Sequence, residues 1–274
     1  MAKKILTKVL VLFLMAGFAQ AGVIQLLTKI ITPVNLVDGI NIINVSVENT
    51  GDDIAKDLYV EAITPEGFTS NNIQLGDVAA GTEASGILQI NVPSNKEGRY
   101  PLILKIKYSD ANAYPFSVIA STYLNVKKYT PTNIYGTTEK LEVSENGENS
   151  LSVKITNRGE TERKVTATAY LPDEFRVDNK VRELILKPKV QENLVYDIGD
   201  LGGQAGSAYL GIISLEYDDA SHNTVLVPVA VEVTKQSSNK LYIWGIAAAL
   251  GVIVVTVLFK VLSRKKEKKT PKKK

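Results

Sequence analysis

The chain holds a single histidine, His222, four residues beyond Asp218 and three beyond Asp219. An imidazole beside two carboxylates can bind a metal or move a proton. The same stretch, Asp218-Asp219-Ala220-Ser221-His222-Asn223, is also turn chemistry, and a solvated hairpin turn accounts for every residue in it. With no second histidine and no cysteine, the usual nitrogen and sulfur ligand set of a zinc site is not available. Asp52, Asp53 and Asp57 form a second acidic loop. Such oxygen-rich loops can hold Ca²⁺, and the alternative is again an ordinary solvated turn; no EF-hand spacing is present. The serines lack a Gly-x-Ser-x-Gly elbow and have no histidine assignable as their base. Carboxylates are abundant, but no pair is spaced in a way that singles it out for glycoside hydrolysis. The expectation is therefore no catalytic residue, no metal ligand and no cofactor. Asn44-Val45-Ser46 is the only glycosylation sequon, on the polar phase of a strand where glycosylation is less usual than in a loop.

The elements that position these residues are strands. Ile43, Val45 and Val47 alternate with Asn44, Ser46 and Glu48. Leu151, Val153 and Ile155 alternate with Ser152, Lys154 and Thr156. The last strand alternates through Val225, Val227, Val229, Val231 and Val233. A period of two sends one face to a core and the other to water. Turn residues interrupt the runs at Asn49-Thr50-Gly51, Pro65-Glu66-Gly67, Asn157-Arg158-Gly159 and Gly202-Gly203.

The pattern occurs twice. Val47-Glu48-Asn49-Thr50-Gly51 returns 108 residues later as Ile155-Thr156-Asn157-Arg158-Gly159. Ala62-Ile63-Thr64-Pro65-Glu66 returns after 107 as Ala169-Tyr170-Leu171-Pro172-Asp173. Lys107-Tyr108-Ser109-Asp110-Ala111 returns after 109 as Glu216-Tyr217-Asp218-Asp219-Ala220. Three landmarks in order predict a tandem duplication. About seven short strands per copy predict an all-β chain of two tandem antiparallel β-sandwiches, over residues 22–127 and 128–236. The middle of the second copy, Leu186-Lys187-Pro188-Lys189-Val190-Gln191, reads as drifted from the first.

These residues resemble a family. The strand, the Asn-x-Gly turn and the following Ala55-to-Val60 strand look like the cell-adhesion-related (CARDB) Ig-like or fibronectin-like domains of archaeal and bacterial surface and S-layer-associated proteins. Leu75-Gly76-Asp77-Val78-Ala79-Ala80-Gly81, Gly98-Arg99-Tyr100-Pro101-Leu102 and Tyr108-Ser109-Asp110 extend the likeness. The resemblance implies the sandwich architecture. It is not specific for function, because such sandwiches serve many roles. The immunoglobulin disulfide is absent, and the only tryptophan is Trp244.

Two apolar segments bracket the sandwiches. Lys3-Lys4, the run Val9–Met15 and Ala19-Gln20-Ala21 predict a signal peptide over residues 1–21. Leu241 to Phe259 carries no charge over 19 residues, which predicts a transmembrane helix over 241–260. Trp244 and Tyr242 suit an interfacial belt. The basic tail, 261–274, predicts a cytoplasmic C-terminus, with residues 22–240 outside a single-pass cell-membrane protein. Those residues hold 20 Lys and Arg against 28 Asp and Glu, about −8, which argues against nucleic acid as a partner. The absence of cysteine fits a prokaryotic surface. The expected function is non-enzymatic: tandem modules for protein or glycan interaction, adhesion or envelope structure. The alternative is an extracytoplasmic accessory subunit of a transporter or protein-translocation complex, since the layout resembles that of the translocon-associated β subunit.

Overall fold

The computed structural model describes residues 22–129, 131–144 and 148–234. The segments read as signal peptide, membrane span and basic tail lie outside these residues. Among the described residues no helix is long and apolar enough to cross a membrane.

The described chain is all β. The first copy contributes β1 (Leu26–Ile31), β2 (Gly39–Asn49), β3 (Ala55–Ile63), β4 (Thr69–Ser70), β5 (Ile73–Val78), β6 (Glu83–Val92), β7 (Gly98–Ser109) and β8 (Pro115–Val126). The second contributes β9 (Ile134–Thr138), β10 (Leu141–Ser144), β11 (Glu148–Asn157), β12 (Arg163–Tyr170), β13 (Phe175–Val177), β14 (Val181–Leu186), β15 (Gln191–Asp200), β16 (Ala208–Asp218) and β17 (His222–Thr234). In the first copy β1-β2-β6-β4 faces β5-β3-β7-β8. In the second β13-β15-β11-β9 faces a sheet built on β14-β12-β16-β17, with β10 on β17. This order is compatible with an Ig-like sandwich.

Alternation builds the cores as expected. Ile43, Val45 and Val47 are fully buried with Leu88, Ile90 and Leu104 in one apolar cluster. Val153 and Ile155 are buried with Val165, Ile213 and Val229 in another. Lys154 and Thr156 are half-buried rather than exposed. The reason is that β11 lies between β9 and β15, so Thr156 faces Tyr135 across the ladder and Lys154 faces Thr137.

The register of the duplication is held by geometry. β2 and β11, β5 and β14, and β6 and β15 all end at positions 108 apart. The middle of the second copy has therefore kept its place in the fold while its sequence changed. The shift to 107 arises at a bulge in β3, where pairing slips between Ala55 and Leu58 and Asp57 adopts φ 52°. After it Leu58 corresponds to Val165 and Phe68 to Phe175, all buried. A positive-φ residue in the second copy, Asn179 at φ 51°, lies where the offset returns to 108.

The Asn-x-Gly signature has a structural purpose. The buried Asn49 amide donates to the carbonyls of Asp53 and Val78, and its oxygen accepts from Gly51 N–H. Asn157 donates to Thr161 and Leu186 and accepts from Gly159 N–H. Each asparagine ties the turn after its own strand to the last strand residue of the neighbouring sheet. A side chain with two donors and an acceptor satisfies groups that water cannot reach.

Candidate functional site

The two sandwiches meet along a seam in which the second copy grips the exposed edge of the first. Their larger sheets touch at one bridge, His222 with Gly98. Gly98 has φ +122°, and a β-carbon there would lie 2.2 Å from the His222 carbonyl oxygen, so only glycine permits this approach. His222 N–H donates to the Glu97 carbonyl at 3.2 Å.

His222 is therefore not in a solvated turn. It is the first residue of β17, with a side chain 17% exposed. Its ring stacks on Tyr100 of the first sandwich, centroids 4.3 Å apart and planes 8° apart. Nδ1 lies 2.8 Å from Asp218 and Nε2 lies 3.3 Å from Glu216. Burial is the largest influence on its pKa and lowers it. The hydrogen bonds and charges of Glu216 and Asp218 together outweigh burial, and the net shift is upward. The ring thus lies between two carboxylates that favour its protonated form and the face of Tyr100.

A second anchor is the carboxylate of Glu174. The residue is 7% exposed and reaches Ser117, 3% exposed, on the edge strand β8. Beside it Lys105 pairs with Asp173 at 2.5 Å. Between the anchors Ile103 and Ile119 of the first copy pack with Ile212 of the second in a small apolar cluster. Tyr123 accepts a hydrogen bond from Leu226 N–H, and the Arg99 guanidinium lies 3.4 Å from the centre of the Tyr123 ring. These contacts are absent from any local sequence pattern. Those that cross between the copies join residues more than 50 positions apart, and a lone buried glutamate signals itself only once its burial is known.

The seam leaves a groove of about 910 Å³ open along β1 and β8, roofed by residues 204–210. That is the volume range of ligand sites. Its lining includes Leu26, Thr28, Phe116, Val118, Ser121, Tyr209 and Leu210. A smaller hollow of about 70 Å³ lies beside Asn157, Arg163 and Asn223 and has room for little beyond water.

The acidic loops are used locally. Asp52 accepts Val23 N–H, Asp53 accepts Ile54 N–H, and Asp57 N–H donates to Asp77. Asp110 accepts the N–H groups of Asn112 and Tyr114, which closes the β7–β8 hairpin. Asp219 pairs with Arg163 at 2.6 Å. Among the described residues no three His, Asp or Glu side chains converge as metal ligands would. Asn44 is exposed in mid-strand, between Ile31 of β1 and Ile87 of β6 on the outer sheet face.

No protein-family model matches the chain. No curated protein matches it. Among solved structures it is similar to the native conformation of E. coli alpha-2-macroglobulin, at 10% identity and TM-score 0.30, over 77% of this chain and 17% of that one. It is also similar to a Salmonella alpha-2-macroglobulin mutant, at 10% identity and TM-score 0.28, over 76% and 16%. The chain spans less than a fifth of the length of either protein.

Proposed function

We propose that the protein is a single-pass surface protein of a prokaryotic, archaeal-type envelope, whose two Ig-like sandwiches bind a protein or glycan partner without catalysis. The observation that carries this reading is the seam. The buried pair of Glu174 with Ser117 and the stacked pair of His222 with Tyr100 hold the two modules as one body. A fixed pair offers a wider, pre-organised surface than two modules on a free linker, which lowers the entropy lost on association. The resemblance to CARDB and S-layer-associated domains supports the same placement, as do the signal-peptide pattern of residues 1–21, the apolar run Leu241–Phe259 and the basic tail.

A second reading has its own support. Only Lys235 to Lys240 separate the end of β17 from the apolar run. So short a stalk favours a partner within the same membrane, as for an accessory subunit of a transporter or translocation complex.

Two measurements test the proposal. Protease added to intact cells should digest residues 22–234 and spare the anchor and tail; protection of the sandwiches would reverse the topology. After mild detergent extraction, recovery with envelope polysaccharide or S-layer would support the surface reading. Recovery with a multi-span protein would support the accessory one. Hydrolysis of an envelope glycan, lost on changing one acidic residue without unfolding, would defeat the non-enzymatic reading.

A further inference from the structure

Asn44 stands in mid-β2, exposed on the outer face of the β1-β2-β6-β4 sheet. Across the ladder it faces Ile31 of β1 on one side and Ile87 of β6 on the other. Such opposed pairs set their β-carbons about 4.5–5.5 Å apart. Ile42 is the next residue of β2 on the same face, and Ile40 follows it. Ile31, Ile40, Ile42 and Ile87 are 50%, 67%, 46% and 54% exposed. Single exposed isoleucines are ordinary, but a cluster of them on one sheet face marks a surface that something covers.

The second copy supplies the comparison. Asn44 with Ile87 in one ladder matches Ser152 with Val195 in the other, and Ile42 with Gln89 matches Ser150 with Asp197. Val45 pairs with Ile30 as Val153 pairs with Thr138, so Ile31 corresponds to Glu139. Glu139, Ser150 and Ser152 are exposed, as their counterparts are. Of the residues compared, only Val195 keeps the apolar character. The sandwich itself therefore does not require isoleucine at these outward sites. The sequon Asn44-Val45-Ser46 becomes Ser152-Val153-Lys154, which has neither the amide nor the second hydroxyl. One copy has the sequon and the isoleucines around it, and the other has lost the sequon and most of the apolar surround.

We infer that Asn44 is an N-glycosylation site, and that its first sugar lies over Ile31, Ile42 and Ile87. The inference rests on the surface reading, because a sequon is used on an exported chain. In the reaction Asn44 Nδ2 bonds to the anomeric carbon of a saccharide activated as a lipid phosphate ester. The anomeric C–O bond breaks, the lipid phosphate leaves with the bonding electrons, and one amide proton passes to water. The Ser46 hydroxyl is the other group the sequon requires. From Asn44 to Ser46 the strand is paired on both sides, so transfer precedes the folding of β2, while the exported segment is still unpaired. A hexose ring carries C–H groups on its faces and hydroxyls around its rim. The C–H face removes isoleucine surface from water while the hydroxyls stay hydrated, and the bulky, solubilising glycan shields the patch.

The test uses the full-length chain purified from the membranes of its own cells. By mass spectrometry the tryptic peptide 30–56 should carry a saccharide. The added mass should be lost in Asn44→Gln and in Ser46→Ala and kept in Ser46→Thr. An unmodified peptide would overturn the inference. So would a sugar that persists in Asn44→Gln, because it would sit on a hydroxyl. The covering role is read from urea midpoints in mild detergent. The glycosylated chain should have a higher midpoint than Asn44→Gln, and the difference should shrink when Ile42→Ser is also present, since groups in contact couple. In chain made in a bacterium without N-glycosylation, Asn44→Gln should leave the midpoint unchanged, which separates the sugar from the amide. A difference that ignores Ile42→Ser would overturn the covering role. Sandwiches digested by protease on intact cells, with peptide 30–56 unmodified, would leave the surface reading standing while this one falls.

Discussion

Glu174 closes its carboxylate on Ser117, one oxygen accepting the backbone N–H at 2.8 Å and the other the hydroxyl at 3.0 Å. The same hydroxyl accepts the N–H of Asp173 at 2.7 Å. The contact is reciprocal, so neither partner is left with a bare buried donor. It also blunts one end of an edge strand that would otherwise offer its backbone to other chains. Glu174→Ala leaves the Ser117 N–H and hydroxyl unpaired at a dry site. We expect a loss of about 2–3 kcal/mol in urea unfolding followed by tyrosine fluorescence. We also expect the single transition to split as the sandwiches unfold separately. The neighbouring Lys105→Ala, which breaks a pair with a half-exposed Asp173, should cost about 1 kcal/mol or less. Equal costs at the two sites would show that the carboxylate is not the anchor.

The His222 contact makes the seam sensitive to pH. Facing the imidazole are Glu216 and Asp218 from β16 and the Tyr100 ring from the first sandwich, while the Glu97 carbonyl accepts the His222 backbone N–H. The Glu97 carboxylate is itself paired with Lys128. The imidazole pKa is raised above the usual 6.5. A raised folded-state value means that stabilisation is complete below the ordinary pKa and is lost as pH rises through the folded one. Urea midpoints measured from pH 5 upward should therefore fall across that window. His222→Phe, which keeps the stacking, should abolish the fall. A midpoint that rises over the same window would mean that burial, not the carboxylates, governs this histidine.

The sandwiches and their duplication were readable because period-two alternation and turn residues are local, and local signals survive without coordinates. Val153 and Ile155 needed only their neighbours to be placed in a core. His222 was legible as a turn residue because its sequence neighbours are Asp, Ala, Ser and Asn. Its partner Tyr100 lies in the other copy, and nothing in either stretch announces the stacking. Glu174 was lost among many surface acids for the same reason. The seam and the groove arise from contacts between copies, and a repeat read from sequence says how many modules there are, not how they lean on each other.

Asn49 and Asn157 carry matching hydrogen bonds 108 residues apart, and that correspondence predicts matching costs. Either Asn→Asp change removes both donors and leaves two carbonyls, Asp53 and Val78 or Thr161 and Leu186, without their bonds. Each should cost about 2–3 kcal/mol, read as a fall in the urea midpoint. Thr50→Ala, at an exposed position in the same turn, should cost about 0.5 kcal/mol or less. A small effect at one asparagine alone would mean that the two copies do not share this staple.

The acidic loops make a prediction about metal. Asp52, Asp53, Asp77 and Asp110 already accept backbone N–H groups. For Asp110 the bonds from Tyr114 lead the influences that lower its carboxyl pKa. An aspartate that closes a turn in this way does so with or without a cation, and its loop needs no ion to fold. Adding a chelator to the purified chain should therefore leave the melting temperature nearly unchanged, and millimolar Ca²⁺ should not raise it. A bound ion stabilises the folded state in proportion to the logarithm of its concentration over its Kd. A rise in melting temperature that grows with Ca²⁺ and disappears in Asp53→Asn would show that these loops bind the ion after all.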